Sequence, residues 1–426
     1  QEEKFDMKMI QKYIDLCNDV FDLFHPERPF LQTKMDVPEF KAVAGVFPVT
    51  PSGSNANFWH HQHEDEISLS PAEAARILTT IAPFMTAGGS GLSRSINGDP
   101  PLYALPTGHN LFETILFNIP HKKQEKEDHE VIAWRNKRPP GEARYQATTL
   151  EALTWRPRQI QLIPEEDNKG NIIIQKMRFK AGDSTEKFKW FDANLAYQFK
   201  NNSVDPLRMR KNHPTWRDAG PLVLLHKGKH GKNQGKKYFQ RPDVVEYAFE
   251  IANTQKEIKI NLYGMHAKNA NILEWIKSSL IIPSPLGISS RLGSLVHQEL
   301  EKAEEGAKSL HKNIKALYPP KGRKSNKDAL KNIAIRCEQN YWKKLEALFH
   351  PLMNAFARLD PDAPDDPTLI TATTSEWRKN IRKFALEQFD LAAKDMDNDS
   401  DALERRVHAQ KELQKALKGI LGEVTP

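Results

Sequence analysis

The 426-residue sequence contains little cysteine, and its two cysteines, Cys17 and Cys337, lie far apart. No Cys-x-x-Cys pair occurs, which excludes a zinc site built on paired thiolates and argues against a disulfide framework. This cysteine usage fits a reducing cytoplasm. No run of about 18 apolar residues occurs, so the sequence predicts no membrane span. No signal-peptide pattern is present either.

The motifs of the common enzyme classes are also missing. There is no Gly-x-Ser-x-Gly turn, no credible Ser/His/Asp set, no dinucleotide-binding fingerprint and no recognisable pair of catalytic carboxylates. The glycine-rich stretch at 87–94 lacks the Gly-Lys-Ser/Thr ending of a phosphate-binding loop, so nucleotide hydrolysis has little support. These motifs therefore assign no enzymatic activity to the chain, and none of them calls for a cofactor.

Charge is present in moderate excess. The formal net charge is +7 and the isoelectric point is near 9.0. Lys and Arg placed on phosphates release counterions, so a positive excess favours a polyanionic partner. The chain begins at Gln1, without Met, in a stretch with helical apolar spacing. We therefore expect the natural N-terminus to lie upstream.

Apolar spacing and turn signals indicate a mixed first part of the chain. The patterns predict helices at 5–24, 70–83 and 109–119, a hairpin at 158–174, a hairpin of Leu222–Leu225 with Tyr238–Phe239, a strand at 257–263 and a helical run at 272–276. Ser70 is a predicted helix cap, with Pro71 at the first helical position and Glu73 completing a capping box.

The last part reads as four long amphipathic helices. Their apolar stripes run through Leu292–Leu310, Leu330–Leu348, Trp377–Phe384 and Leu403–Ile420. The third helix is predicted to begin at a capping box, Thr373–Glu376. The sequence thus predicts an α+β protein, with a large mixed α/β domain at 1–287 followed by an all-α four-helix bundle at 288–426.

A cluster of aromatic, histidine and acidic residues lies at 58–66. His60, His61 and His63 are candidate metal ligands, although the His-Glu-x-x-His motif is absent. The faces of Phe58 and Trp59 could instead stack on nucleic-acid bases, with His60 bonding to phosphate or base edges. An exposed polar loop is the third reading, and the residues alone leave all three open.

Two segments rich in glycine or lysine are candidate contacts with a polyanion. Gly88 and Gly89 would let the backbone approach another surface closely, although the residues alone favour an ordinary glycine-rich loop. Lys227, Lys229 and Lys232 lie in a Lys/Gly stretch that could follow phosphates without reading sequence, or could simply be solvated.

Several blocks, in the same order, resemble CasA, the large subunit of the type I-E CRISPR surveillance complex, Cascade. His25–Lys34 (HPERPFLQTK) is similar to the family's H-x-x-x-P-F-[ML]-Q-T-K, Leu153–Ile160 (LTWRPRQI) to its L-F-W-Q-P-x-x-I, and Asn269–Glu274 (NANILE) to its N-Q-A-S-I-L-E. The glycine-rich stretch and the helical C-terminal part also match. The resemblance spans nearly the whole chain.

The resemblance implies roles for matching residues. Phe58, Trp59 and His60 occupy the place of a loop that docks beside the guide RNA's 5′ end and the flanking motif. Gly88 and Gly89 correspond to a glycine loop that approaches the minor groove of that motif.

Two further roles are implied by the same resemblance. Lys187 lies in a Glu-Lys-Phe triplet whose lysine contacts the motif. Asn269, flanked by Lys268 and Ala270, stands where the family has a glutamine wedge that enters the duplex, and Asn is one methylene shorter.

For function, the resemblance implies a non-catalytic subunit of an RNA-guided DNA surveillance complex in the bacterial cytoplasm. Such a subunit recognises the protospacer-adjacent motif in double-stranded target DNA, helps to unwind it for R-loop formation and helps to recruit the helicase-nuclease. Its partners are the guide RNA complex with the other Cascade subunits, the target DNA and the helicase-nuclease, with no membrane. Two alternatives stay open: a metal-dependent nuclease using His60, His61 and His63, and a scaffold subunit without DNA contact.

Overall fold

A computed structural model describes most of the chain. The described residues are 4–45, 67–86, 92–121, 132–134, 141, 143–185, 190–200, 203–210, 212–223, 238–252, 256–268, 271–318, 327–394 and 399–422. Within these ranges, only the backbone is described at 200, 223, 238, 267–268, 271–273 and 327–330.

The described ranges contain both short and long helices. They are α1 Met7–Cys17, α2 Pro71–Phe84, α3 Leu111–Asn118, α4 Thr149–Leu153, α5 Ala219–Val223, α6 Asp243–Ile251, α7 Ser284–Ile288, α8 Ser290–Ala316, α9 Lys327–Ala357, α10 Pro367–Ala393 and α11 Ser400–Leu421. The helix predicted at 5–24 is shorter than expected, since α1 gives way to a 3₁₀ turn at Asn18–Val20. In this part of the chain no helix has the length and apolar character that crossing a bilayer requires.

The strands form small sheets. They are β1 Lys41–Ala42, β2 Tyr103–Thr107, β3 Ala143–Arg144, β4 Arg158–Glu166, β5 Ile172–Ala181, β6 Ser184–Thr185, β7 Tyr197–Lys200, β8 Ser203–Pro206, β9 Tyr238–Gln240, β10 Glu257–Lys268 and β11 Asn271–Pro283. Their orders are β1-β5-β4, β11-β10-β2, β8-β7-β9 and the pair β3-β6, of which only β3-β6 is parallel among the described pairings. The predicted mixed α/β first part is confirmed.

The β4–β5 hairpin forms where the alternating pattern predicted it. The Asp167 carboxylate accepts hydrogen bonds from the backbone N–H groups of Lys169 and Asn171, each at 2.8 Å, and Gly170 takes a positive φ of 79°. That φ suits glycine, which has no Cβ to clash. The apolar face of the hairpin packs on α2, whose predicted cap at Ser70 is present as a complete capping box.

The long β10–β11 hairpin corrects one prediction. Residues 272–276 were expected to be helical, but they lie in β11, which pairs with β10 from Glu257–Pro283 to Lys268–Asn271. A short apolar run satisfies a strand as well as a helix, and here the partner strand decides. Ile260 and Ile282, buried on this sheet, contribute to the core.

The hairpin predicted for Leu222–Leu225 with Tyr238–Phe239 is wrong. Leu222 lies in α5 and is buried, while β9 pairs with β7 instead. The apolar run after Gly220 carried no periodicity that separates helix from strand, and burial against α8 selected the helix.

The four-helix bundle is confirmed as α8–α11, but the third helix begins earlier than predicted. Its cap is Asp366, whose carboxylate accepts from Thr368 N–H at 2.8 Å, and Pro367 occupies the first turn. Proline at that position starts helices rather than breaking them. Thr373 is therefore inside α10, where its hydroxyl donates to the Leu369 carbonyl at 2.8 Å.

In α11 the predicted stripe is rotated near its start. Leu403 and Val407 are exposed, whereas Ala402 and Ala409 are buried with Leu413. The start of α11 therefore turns small side chains, rather than Leu403 and Val407, towards the bundle.

One apolar core joins the mixed part to the bundle. Trp216 packs on Trp342 and Phe349, with ring centroids 5.7 and 5.0 Å apart. The Arg217 guanidinium lies 3.7 Å from the Trp342 ring centroid and bonds to both carboxylate oxygens of Glu304 at 2.9 Å. The division into domains at 287/288 stays a prediction, with buried contacts crossing it.

Candidate nucleic-acid interface

The β10–β11 hairpin extends beyond its sheet as an arm. β2 pairs with Lys259–Tyr263 of β10, and past Tyr263 the two hairpin strands continue to the pair Lys268–Asn271. The register shifts between His266 and Ala267, which marks a β-bulge. The predicted wedge residues Asn269 and Ala270, and the Lys268 side chain, lie outside what the structure describes. Their place in the chain is the connection at the end of this arm.

Both ends of the predicted glycine segment are held in the fold. The Ser95 N–H donates to the Met85 carbonyl at 2.9 Å. The Arg158 guanidinium donates to the carbonyls of Thr86 at 3.0 Å, Pro157 at 2.9 Å and Ser93. Gly88 and Gly89 themselves are not among the described residues. We call Met85–Thr86 and Ser93–Ser95 the neck of this segment.

Arg158 brings a buried positive charge to the neck. Its exposed fraction is 5%, and burial lowers the pKa of the guanidinium to about 10. At neutral pH the group is therefore still protonated, and it donates hydrogen bonds to three backbone carbonyls. A buried cation that satisfies several carbonyls fixes their separation, because moving any of them leaves a charge poorly solvated.

Replacing Arg158 with Met is expected to loosen the neck. Met keeps an apolar stem but leaves the carbonyls without a donor, which should lower the free energy of unfolding by about 1–3 kcal/mol. The amide hydrogen of Ser95, bonded across the neck, should exchange faster. Thermal unfolding and hydrogen exchange measure both effects.

Arg178→Met is the matched control for this substitution. Arg178 lies on the same hairpin, is half-buried and donates to one side-chain oxygen, on Gln161, at 3.3 Å. It should cost less stability and leave Ser95 exchange unchanged. Equal effects from the two substitutions would contradict a special role for Arg158.

The residues on each side of the segment that contains Lys187 are held by buried polar contacts. We call these flanking residues, at Asp183 and Asp192, the approach to Lys187. Asp183, which is buried, accepts from Arg144 at 3.4 Å and from the Gly141 N–H at 2.9 Å, just before β6. On the other side, Asp192 accepts from Asn97 Nδ2 at 2.8 Å, and burial raises the pKa of the Asp192 carboxyl. Lys187 itself lies outside the described ranges.

Three contacts bring the bases of these segments together. Phe84, at the end of α2, meets Trp275 of the arm edge-on, with centroids 5.2 Å apart. The Tyr103 hydroxyl donates to the Pro83 carbonyl at 2.9 Å and burial raises the pKa of that hydroxyl. Asn97, just beyond the neck, bonds to Asp192. The arm, the neck and the approach to Lys187 therefore share one region, which we call the junction.

Sequence reasoning missed the residues that build the junction. Arg158 was read only as part of a strand pattern, and Trp275 as part of a helix. An alternation of polar and apolar residues could not show that Arg158 meets residues 65 and 72 positions away. The one signal available in the sequence was the Trp155-Arg156-Pro157 stretch directly before Arg158.

The remaining predicted segments have described ends. Residues 46–66, with Phe58, Trp59 and His60, leave after β1, which pairs with β5, and return at Leu69, which exchanges backbone hydrogen bonds of 3.0 and 2.9 Å with Ile174 of the same strand. The Lys227, Lys229 and Lys232 segment joins α5 to β9. All of these candidates, with His61 and His63, fall outside the described residues, so their contacts and the metal alternative stay predictions. Within the described ranges no cluster of three or more His, Cys, Asp or Glu side chains could hold a metal ion.

The sequence model of one protein family, CRISPR-associated protein Cse1, matches residues 1–388. The chain belongs to the Cse1 family. The resemblance seen in the sequence is thereby confirmed. A curated relative, CasA/Cse1 of Thermus thermophilus, is 25% identical over 449 aligned positions, which cover 98% of this chain and 83% of the relative.

Solved structures agree with this family fold. The structure of Cse1 from Thermobifida fusca has a TM-score of 0.73 at 18% identity, covering 99% of this chain and 84% of that one. A chain of a CRISPR RNA-guided surveillance complex has a TM-score of 0.72 at 18% identity, covering 96% of this chain and 83% of that one. These likenesses establish the Cse1 fold, a mixed α/β part with a helical C-terminal part.

Proposed function

We propose that this Cse1 chain is a non-catalytic subunit of an RNA-guided DNA surveillance complex. It recognises the protospacer-adjacent motif in double-stranded target DNA, helps to unwind the duplex at the start of R-loop formation and helps to recruit the helicase-nuclease. Its immediate partners are the other Cascade subunits with their guide RNA. Family membership and the likeness to a surveillance-complex chain support the assignment to the complex.

The observation that carries the DNA-contact part of the proposal is the junction. The neck, the approach to Lys187 and the arm whose strands lead to 269–270 come together through Phe84–Trp275 and Asn97–Asp192. A backbone segment for the minor groove, a cation for the phosphates and the end of a long hairpin would thus act on one short stretch of duplex.

A protein that works beside a guide RNA needs to recognise only a short flanking motif, and it can tolerate some variation in that motif. Guide pairing supplies sequence specificity, and the protein reads only a flanking element. The minor groove separates A·T from G·C pairs but distinguishes little else. Unstacking a base step costs a few kcal/mol, and contacts to phosphates together with the new heteroduplex would offset that cost.

A binding assay on the assembled complex tests the proposal. The targets share the guide-matched sequence and differ only in the flanking trinucleotide. We expect the dissociation constant to change with that trinucleotide, and no strand cleavage with or without a divalent ion. Binding that ignores the flanking sequence would refute motif recognition, and cleavage that requires a metal would favour the nuclease alternative at His60, His61 and His63.

Lys187→Ala should weaken binding of the cognate duplex and flatten its salt dependence. Each phosphate contact contributes about 0.9 to the slope of log K against log salt concentration. Titrations at several salt concentrations give the slope. Lys169→Ala is the control, since Lys169 is exposed at the turn of the β4–β5 hairpin, at the opposite end from Ala181 and the approach to Lys187. An unchanged slope for Lys187→Ala would exclude a phosphate contact there.

A further inference from the structure

Two arginines converge on one carboxylate beside the neck. Arg94 Nη1 lies 3.2 Å from Asp99 Oδ2, and Arg208 Nη1 lies 3.1 Å from the same oxygen. Arg208 also donates to the Asp99 backbone carbonyl at 3.1 Å. Two guanidinium groups and one carboxylate leave an excess of one positive charge.

The three side chains remain accessible to a large ligand. Their exposed fractions are 54% for Arg94, 38% for Arg208 and 55% for Asp99. A guanidinium has five N–H donors in a planar fork that matches phosphate geometry. Each arginine uses only some of its N–H groups to bond Asp99, so the remaining N–H groups can bind an anion.

The backbone under the pair is fixed by a tight turn. Gly98 donates from its N–H to the Ser95 carbonyl at 2.9 Å and has a φ of 82°, a conformation that favours glycine. A Cβ at this position would lie 3.4 Å from Arg208 Nη2 and 3.8 Å from Arg94 Nε. The two guanidinium groups therefore lie close over the backbone of Gly98, where a side chain would crowd them.

Both arginines lie on backbone that is hydrogen-bonded to the rest of the fold. Arg94 is part of the neck, between the Ser93 carbonyl bound by Arg158 and the Ser95 N–H bound by Met85. Arg208 follows Leu207, whose carbonyl accepts from the Leu102 N–H at 2.8 Å, next to β2. Their spacing therefore does not depend on a free loop.

We propose that Arg94 and Arg208 form a phosphate-binding site for the backbone of the target DNA duplex, with Asp99 as a competing anion in the free protein. The inference rests on the proposed function and adds to it a site outside the family motifs. A backbone phosphate placed between the two guanidinium groups displaces Asp99 from one or both of them. In the free protein, the Asp99 carboxylate occupies both guanidinium groups and competes with anions from the solvent.

Substitutions at this triad should have effects of opposite sign. In the assembled complex, Arg94→Ala with Arg208→Ala should weaken binding of a cognate duplex at least about tenfold, since hydrogen bonds to charged groups are strong. It should also flatten the salt slope by about 0.9, because one phosphate contact is lost. Asp99→Asn should instead tighten binding and steepen the slope, because both arginines lose their competitor.

A matched ion pair supplies the control. Arg28 bonds to Asp19 at 2.6 Å, with exposed fractions of 58% and 53%, close to those of the triad. Arg28→Ala removes one surface charge and should leave affinity and slope unchanged. Exposed ion pairs contribute about 0–1 kcal/mol to stability, so all of these variants should fold.

The outcomes separate this site from the proposed function. If the wild-type complex distinguishes flanking motifs but the triad variants keep its salt slope, the phosphate site is wrong and motif recognition stands. If Asp99→Asn weakens binding, Asp99 serves only to position the arginines and the competing-anion role is refuted. If the arginine variants reduce guide-RNA loading instead of duplex binding, the site faces RNA and the inference fails. If the wild type ignores the motif, the proposed function itself fails.

Discussion

Replacing Glu299 with alanine is expected to lower the free energy of unfolding by about 3–5 kcal/mol. The Glu299 side chain is 2% exposed and receives Arg378 Nη2 at 2.5 Å and Lys302 Nζ at 2.6 Å. Its backbone carbonyl also accepts from Trp377 Nε1 at 3.3 Å. The Glu299 carboxylate therefore links α8 to α10 by a salt bridge to Arg378.

The size of this effect comes from the partner that remains. The Arg378 side chain is only 13% exposed, so without Glu299 it would be a largely buried cation with no counter-charge close by in the ion pairs described. Breaking a buried pair costs more than the pair contributes, because the remaining charge is poorly solvated. Chemical denaturation of the purified chain gives the free energy.

Glu301→Ala is the control for this prediction. Glu301 lies on the same helix, is 64% exposed and pairs with His297 at 3.4 Å. Exposed pairs of this kind contribute about 0–1 kcal/mol. Similar losses from the two substitutions would show that Glu299 acts as an ordinary surface residue.

Replacing Lys268 and Asn269 together with alanine should impair duplex opening far more than assembly of the complex. We expect R-loop formation to slow by about ten- to a hundredfold, equivalent to about 1.4–2.8 kcal/mol. That range fits the loss of contacts that offset the unstacking of a base step, which costs a few kcal/mol. Fluorescence of 2-aminopurine placed beside the motif reports the opening.

Two controls isolate the wedge. Lys259→Ala removes an exposed lysine from the same strand, at the sheet end of the arm, and should open DNA like the wild type. A target with mismatches beside the motif is already open there, so it should restore R-loop formation by the double variant. Normal opening of a fully paired target by the double variant would refute the wedge.

Much of the fold could be predicted because local chemistry decides it. Ser70 and Glu73 form a capping box wherever a helix follows, and the Asp167–Asn171 turn carries its own hydrogen-bond partners. The errors at Leu222 and at 272–276 fall on short apolar runs, whose state depends on a partner strand or helix. No local signal identifies that partner.

The residues of the candidate interface likewise fall into those that the sequence could predict and those that depend on distant contacts. Gly88, Lys187 and Asn269 are predicted from their match to family motifs and stay predictions, and the structure describes the elements that lead to them. Arg158 and Trp275 were missed because their roles come from contacts between segments distant in sequence. Arg158 fixes the neck because it is buried and bonds to the carbonyls of Thr86 and Ser93.

The arm has a mechanical consequence. β11 runs from Asn271 to Pro283, α7 follows at Ser284 and α8 at Ser290. At about 3.3 Å per residue the strand is roughly 43 Å long. A force applied at the far end of the hairpin therefore reaches the first bundle helix through hydrogen-bonded backbone, with one residue, Ser289, between the last two elements. Strand β11 therefore connects the segment at 269–270 to the bundle through continuous secondary structure.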